Sequence, residues 1–203
     1  MARSRIQNVE PTEYNNIKFR SKLEYSTAVV FDKIGIKYLY EPYSIELQES
    51  FRFRGTLYRK IEYKPDFIIG GNIIIECKGF ETPEWKIKRK LLLHHIYTRG
   101  GQLYFYEMHT QKELFEILDR HHETFNVCVE CSNGTTYNTL KDAIASLRLE
   151  KKINSVIRNI LGMQKDVNGY TFTYTTEHQD GLSIGVPLKK IIPKEKANEK
   201  KFI

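Results

Sequence analysis

The sequence predicts an α/β chain in two parts. Residues 1–122 read as a mixed sheet flanked by helices, and residues 123–176 as a small module of two short helices between strands. In the first part helical and extended patterns interleave in the order helix, strands, helix, strand, helix. Ser21, Thr82, Thr110 and Thr139 each precede a run of helical periodicity, where N-caps belong. After His121-His122-Glu123 the texture changes to shorter elements, and residues 177–203 read as a basic tail.

Ser21-Lys22-Leu23-Glu24 has the form of a capping box. Leu23, Thr27, Val30, Phe31 and Ile34 follow at helical spacing, so a helix is predicted over 22–34 with Gly35 closing it. Residues 36–41 read as a strand stopped by Pro42, and residues 43–63 as extended segments around an Arg54-Gly55-Thr56 turn. Residues 63–69 and 73–78 flank Gly70-Gly71-Asn72, which signals a hairpin. Thr82-Pro83 opens a helix over 83–98, with Trp85, Ile87 and Leu91 to Leu93 as its buried side and Gly100-Gly101 as its stop. Residues 103–107 form a strand, and Thr110-Gln111-Lys112-Glu113 is a second capping box opening a helix to about 120. Beyond it, 125–130 is a strand and Ser132-Asn133-Gly134 a turn. Thr139 caps a helix with Ala143, Ile144 and Leu147 inside, and a further helix carries Ile153, Val156, Ile157, Ile160 and Leu161 to Gly162. Residues 170–174 alternate as a terminal strand.

Hydrophobic residues make up 40% of the 203, enough for packed cores, which excludes a wholly disordered chain. No run approaches the roughly 18 apolar residues of a membrane span. Met1-Ala2-Arg3-Ser4-Arg5 leads into no apolar stretch, so neither a membrane nor a secretory leader is expected. Cys77, Cys128 and Cys131 cannot make a disulfide framework and suit a reducing compartment, so a cytoplasmic protein is the expectation. The formal charge of +7 is compatible with a polyanionic partner but identifies none. Lys86, Lys88, Arg89, Lys90 and Arg99 crowd one predicted helix against Glu84, the pattern either of a solvated face or of a surface that neutralises phosphates.

The segment richest in chemistry is Lys64-Pro65-Asp66-Phe67 with Ile75-Glu76-Cys77-Lys78. A Gly70-Gly71-Asn72 loop pairs Ile69 with Ile73 and sets Asp66 opposite Glu76. Residues two apart on a strand share a face, so Lys78 joins them while Phe67, Ile69, Ile73 and Ile75 pack on the other side. Two opposed carboxylates repel. A divalent cation relieves that repulsion, and hard oxygen ligands with room for water suit Mg²⁺, with Mn²⁺ as the alternative. Such an ion activates water and stabilises a phosphoryl group, and Lys78 offsets negative charge, so the pattern points to phosphodiester hydrolysis.

The spacing Asp66-x9-Glu76-x-Lys78 resembles the PD-(D/E)xK nuclease motif. Residues 15–93 are similar to the phage endonuclease I superfamily. The similarity runs through Ile17-Lys18-Phe19-Arg20-Ser21-Lys22-Leu23-Glu24, Tyr40-Glu41-Pro42, Tyr63-Lys64-Pro65-Asp66-Phe67 and Glu76-Cys77-Lys78-Gly79-Phe80-Glu81-Thr82. It implies a PD-(D/E)xK restriction-endonuclease-like core with Glu24, Asp66, Glu76 and Lys78 catalytic and with Asp66, Glu76 and Glu24 binding metal. Glu24 has a second reading as the N3 partner of its own helix cap. Junction resolvases of this superfamily carry a carboxylate in the strand after the first helix. Leu39 stands there in this chain with Glu41 nearby, which departs from the junction-cutting pattern. The resemblance also implies a homodimer that exchanges the extended 43–60 region. Lys86, Lys88, Arg89 and Lys90 follow the catalytic strand closely enough to contact the DNA backbone.

Residues 127–174 resemble the nuclease-associated modular DNA-binding domains of homing endonucleases. The matching residues are Ser132-Asn133-Gly134, Tyr137, Thr139-Leu140, Ala143, Ile153, Ile157, Leu161-Gly162 and Gly169-Tyr170-Thr171-Phe172-Thr173-Tyr174. This implies a helix-turn-helix-like reader with Asn154, Ser155, Arg158 and Asn159 facing the major groove; the other reading is a small packing domain with a solvated polar face. Cys128-x-x-Cys131 beside His121-His122 has half the pattern of a zinc site, and ordinary strand cysteines are the simpler reading. The expectation is thus a metal-dependent endodeoxyribonuclease of homing type acting on double-stranded DNA as a homodimer. Its rivals are a structure-selective enzyme for branched DNA and a DNA-binding protein without catalysis.

Overall fold

Asn15 and Asn16, both at positive φ, turn β1 (Thr12–Tyr14) onto β2 (Ile17–Phe19). The computed structural model in which this hairpin is seen describes residues 12–176, so the basic tail lies outside the described residues. Ser21 caps α1 (Lys22–Ile34) by accepting from the Glu24 N–H, and Gly35 closes it at φ 77°, where a side chain would be strained. After β3 (Tyr38–Tyr40) the chain makes a two-stranded excursion. Its lower part pairs β4 (Ile45–Gln48) with β7 (Ile61–Tyr63), and its outer part pairs β5 (Phe51–Phe53) with β6 (Thr56–Tyr58) across Arg54-Gly55. β8 (Phe67–Ile69) and β9 (Ile73–Cys77) flank the glycine turn with Ile69 opposite Ile73, the register its spacing predicts. α2 (Pro83–Thr98), β10 (Tyr104–Met108) and α3 (Gln111–Arg120) follow.

The central sheet has the order β10-β9-β8-β3, with β10 and β9 parallel and the other pairs antiparallel, so it is mixed as predicted. Its two faces bury different helices. Phe67, Ile69, Ile73 and Ile75 pack with Phe19, Phe31, Met108 and Leu118 on the side of α1 and α3, whereas Ile68 and Ile74 pack with Trp85, Leu92 and Ile96 of α2. All of β9 is buried, and each fully buried Ile contributes about 1.5–3 kcal/mol. The expected buried side of α2 needs correction: Ile87 is 60% and Leu93 47% exposed. The buried stripe is Trp85, Leu92 and Ile96, which recur after seven and four residues, and Ile87 lies about 200° round the helix from Trp85.

The second part begins with a single turn, α4 (His122–Phe125), so the strand expected from 125 starts later, as β11 (Val127–Cys131). β12 (Thr136–Tyr137), α5 (Leu140–Ser146), a 3₁₀ turn (Glu150–Lys152), α6 (Ile153–Ile160) and β13 (Phe172–Thr176) complete it. β12, β11 and β13 form an antiparallel sheet in that order. The apolar cluster on the α1 side of the main sheet continues unbroken through Phe125, Val129, Ile157 and Tyr174. Asp119 of α3 fastens the two parts, accepting from the N–H groups of Leu140 and Lys141 and from the Tyr174 hydroxyl. No helix among the described residues is long and apolar enough to cross a membrane.

α6 changes one expectation for DNA reading. Asn154 and Arg158 are exposed and Ser155 half-buried, but Asn159 points inward. Its amide donates to the carbonyls of Gln164 and Lys165 at 2.9 and 3.0 Å, and its Oδ1 accepts from the Phe172 N–H at 2.7 Å. Asn159 is therefore the clasp of the loop before β13 and does not face a groove. Asn159→Ala will destabilise the protein by about 1–3 kcal/mol in urea unfolding, because three backbone groups lose their partner, whereas Asn154→Ala will stay within about 0.5 kcal/mol of wild type.

Candidate active site

Strand register builds the site. Phe67 pairs with Ile75, so Asp66, one residue before β8, stands abreast of Glu76, and Glu41 N–H holds the Asp66 carbonyl in line at 2.9 Å. Asp66 is 9% and Glu76 4% exposed. Asp66 Oδ2 accepts from the Cys77 N–H at 2.8 Å. Glu76 accepts from the Tyr63 hydroxyl at 2.8 Å and from Lys78 Nζ at 2.7 Å. The Lys78 ammonium also lies over the Trp85 ring, 3.9 Å from its centroid, a cation–π contact. Thr82 caps α2 by accepting from the Trp85 backbone N–H, which sets the start of the helix that carries this ring.

Burial, then the charges of Glu76 and Glu24, push the Asp66 carboxyl up to about 8. Burial also raises Glu76, against the pull of Lys78. Tyr63 is held protonated by burial and by the neighbouring Glu76, which keeps it a donor.

Glu24 is close enough to raise Asp66 but is otherwise spent. Its oxygens accept from the Arg20 N–H at 2.9 Å, the Ser21 hydroxyl at 2.8 Å and the Tyr40 hydroxyl at 2.7 Å. Ser21 caps α1, but Glu24 does not close the reciprocal box, because its carboxylate takes the Arg20 N–H and not that of Ser21. Among the described residues no three of His, Cys, Asp and Glu form a group able to hold a metal ion. Of the expected ligands, Asp66 and Glu76 are the adjacent pair, with Glu24 close enough for its charge to act on Asp66. That pair still fits magnesium in donor type and number, since this ion is commonly held by one or two carboxylates with waters and phosphates completing its shell. Asp66 Oδ1 accepts no hydrogen bond from the described residues, and each Glu76 oxygen keeps a second lone pair.

A residue absent from the sequence reading completes the site. In the parallel pair Glu107 lies beside Glu76. Glu107 accepts from Trp85 Nε1 at 3.2 Å and from the Arg89 guanidinium at 3.0 Å, and His109 Nδ1 lies 2.7 Å from the Lys78 carbonyl. The strand–helix–strand order 73–108 carries the signal, because such crossovers join parallel neighbours. Of the expected backbone-binding cations on α2, Arg89 is committed to Glu81 and Glu107, Lys88 pairs with Glu84 and Lys86 with Glu81. Lys90 is exposed and forms no ion pair among the described residues. Cys131 is buried, Cys128 Sγ lies 3.0 Å from Thr175 Oγ1, and His121 Nε2 lies 2.8 Å from the Tyr106 hydroxyl.

Residues 7–111 match the family described as "Protein of unknown function (DUF1064)". The chain belongs to that family. No curated protein and no solved structure matches it. The DUF1064 segment contains every residue of the acidic site, from Glu24 to His109, and ends before the body of α3 and the small module.

The raised Asp66 carboxyl has a consequence for stability. An unfolded Asp titrates near 4. Between about 4 and about 8 the folded state keeps a proton that the unfolded state has lost, so this group lowers stability as pH rises through that window. Asp66→Asn will abolish the decline, raising Tm at pH 8 by roughly 5 °C or more and leaving it nearly unchanged at pH 4. Scanning fluorimetry in EDTA reads this.

Proposed function

We propose that the chain is a magnesium- or manganese-dependent endodeoxyribonuclease of the PD-(D/E)xK type. The observation that carries this reading is the meeting of Asp66, Glu76 and Lys78 at one end of a mixed sheet, with two buried acids abreast and a cation 2.7 Å from one of them. Asp66 and Glu76 would hold the ion, which when bound supplies a water of lowered pKa and compensates charge on the phosphoryl group. Tyr63 fixes Glu76 by donating to it. Lys78, only 22% exposed in its side chain and braced on Trp85, is placed to donate to an attacking water or a phosphate oxygen. Glu24 acts through position and charge: it anchors α1 and Tyr40 and raises the proton affinity of Asp66.

The helix-turn-helix-like module supports target selection of the homing type, with exposed Asn154 and Arg158 suited to bidentate contacts with base edges. Cutting both strands of a duplex calls for two such sites and hence a homodimer. Leu39 in place of a carboxylate weighs against a junction-specific enzyme.

With magnesium, the wild type will nick and linearise supercoiled plasmid. Asp66→Ala, Glu76→Ala and Lys78→Ala will each lose about 100-fold or more of that rate, while Glu24→Gln will lose less and cost about 1 kcal/mol of stability. Binding without metal-dependent nicking in the wild type would make the chain a DNA-binding protein. Cleavage confined to a four-way junction beside an uncut linear duplex would make it structure-selective.

A further inference from the structure

Among the described residues the β5–β6 ribbon lies in the longest unbroken exposed run, and its composition is uneven. Residues 49–60 are all exposed. Phe51, Phe53, Leu57 and Tyr58 stand 46–56% open to solvent, with Phe51 and Tyr58 stacked at 4.9 Å. From 50 to 60 the chain holds Arg52, Arg54, Arg59 and Lys60 and no acid. Lys60 pairs with Glu62, but the three arginines make no ion pair among the described residues: Arg52 reaches only the Gly55 carbonyl, and Arg54 lies over the Phe53 ring. On α2, by contrast, most of the cations are already matched by Glu81, Glu84 and Glu107.

Building on the nuclease reading, we infer that this ribbon is a nucleic-acid contact that lies in a groove of duplex DNA next to the scissile phosphate. Its place in the fold supports this. β7, which returns from the ribbon, ends at Tyr63, whose hydroxyl donates to Glu76, and Asp66 follows three residues later. DNA seated on the acidic pair therefore passes the ribbon. The major groove, about 12 Å wide, admits a two-stranded ribbon. Arg52 pairs with Leu57 and so shares a face with Arg59, whereas Phe51 and Tyr58 pair on the other face. The arginines reach phosphates, and the rings offer apolar contact to sugars and thymine methyls. A second copy of the same chain is a poorer occupant, since two ribbons laid together would oppose unpaired arginines of like charge.

The test is binding of a fluorescein-labelled duplex in EDTA, where no cutting occurs, across a series of salt concentrations, with light scattering for oligomeric mass and circular dichroism for folding. The triple variant Arg52→Ala, Arg54→Ala, Arg59→Ala will bind at least about tenfold more weakly at low salt, and its slope of log K against log salt will fall by up to about 2.7. The matching triple Arg→Lys variant will recover most of the slope. Equal binding by wild type and the alanine variant, with plasmid cutting intact, overturns the ribbon inference and leaves the nuclease reading standing. A change in oligomeric mass that accounts for the lost binding makes the ribbon a contact between copies and overturns it. A wild type that binds no duplex at any salt removes the nuclease reading as well.

Discussion

Two acids held side by side in the buried end of a sheet are the costly arrangement around which the first part of this chain is organised. Asp66 and Glu76 are nearly inaccessible to solvent, and each raises the cost of ionising the other. Four groups offset that cost, and each is placed by a different element. The Cys77 N–H comes from β9, the Tyr63 hydroxyl from the end of the excursion, Lys78 from the residue after the strand, and the Trp85 ring beneath Lys78 from the first turn of α2. Glu107 then ties Trp85 and Arg89 to the neighbouring strand. Loss of Lys78 would leave Glu76 buried without its cation, and loss of the Cys77 N–H or the Tyr63 hydroxyl would leave a buried carboxyl oxygen short of a donor, so the sheet order and the site are not separable features.

Much of this was legible in the residues because it is local. Ser21, Thr82, Thr110 and Thr139 all cap helices, and Thr110 with Glu113 forms a full reciprocal box. The glycine turn sets the register of β8 on β9, and the faces follow from alternation. What escaped depends on partners distant in the chain. Glu107 comes beside Glu76 only through a crossover of some thirty residues, and Asn159 turns inward because the carbonyls of Gln164 and Lys165 and the Phe172 N–H need it. Glu24 fits a capping box in sequence, but its side chain reaches Arg20 N–H and Tyr40, a partner from another strand. On α2, apolar residues occur all round the helix, so periodicity alone did not separate Leu92 and Ile96 from the exposed Ile87.

The distribution of cations separates two roles that composition merges. Lys86, Lys88 and Arg89 are engaged by acids around α2, and Arg89 in particular braces the wall of the site through Glu107. Such partly exposed pairs add little stability individually, but they fix side-chain directions around Lys78. Arg52, Arg54 and Arg59, at the outer end of the excursion, make no ion pair among the described residues. The cations of α2 and those of the ribbon thus differ in their partners, a distinction that needs side-chain contacts to be seen.

The contact between Lys78 and Trp85 has a practical side. Trp85 is the chain's single tryptophan, and its ring lies directly under the ammonium group. Light emitted by that indole therefore reports the electrostatic state of one known spot, free of background from any other such chromophore. Displacement of the lysine by an arriving anion becomes an optical signal that the protein carries without a label.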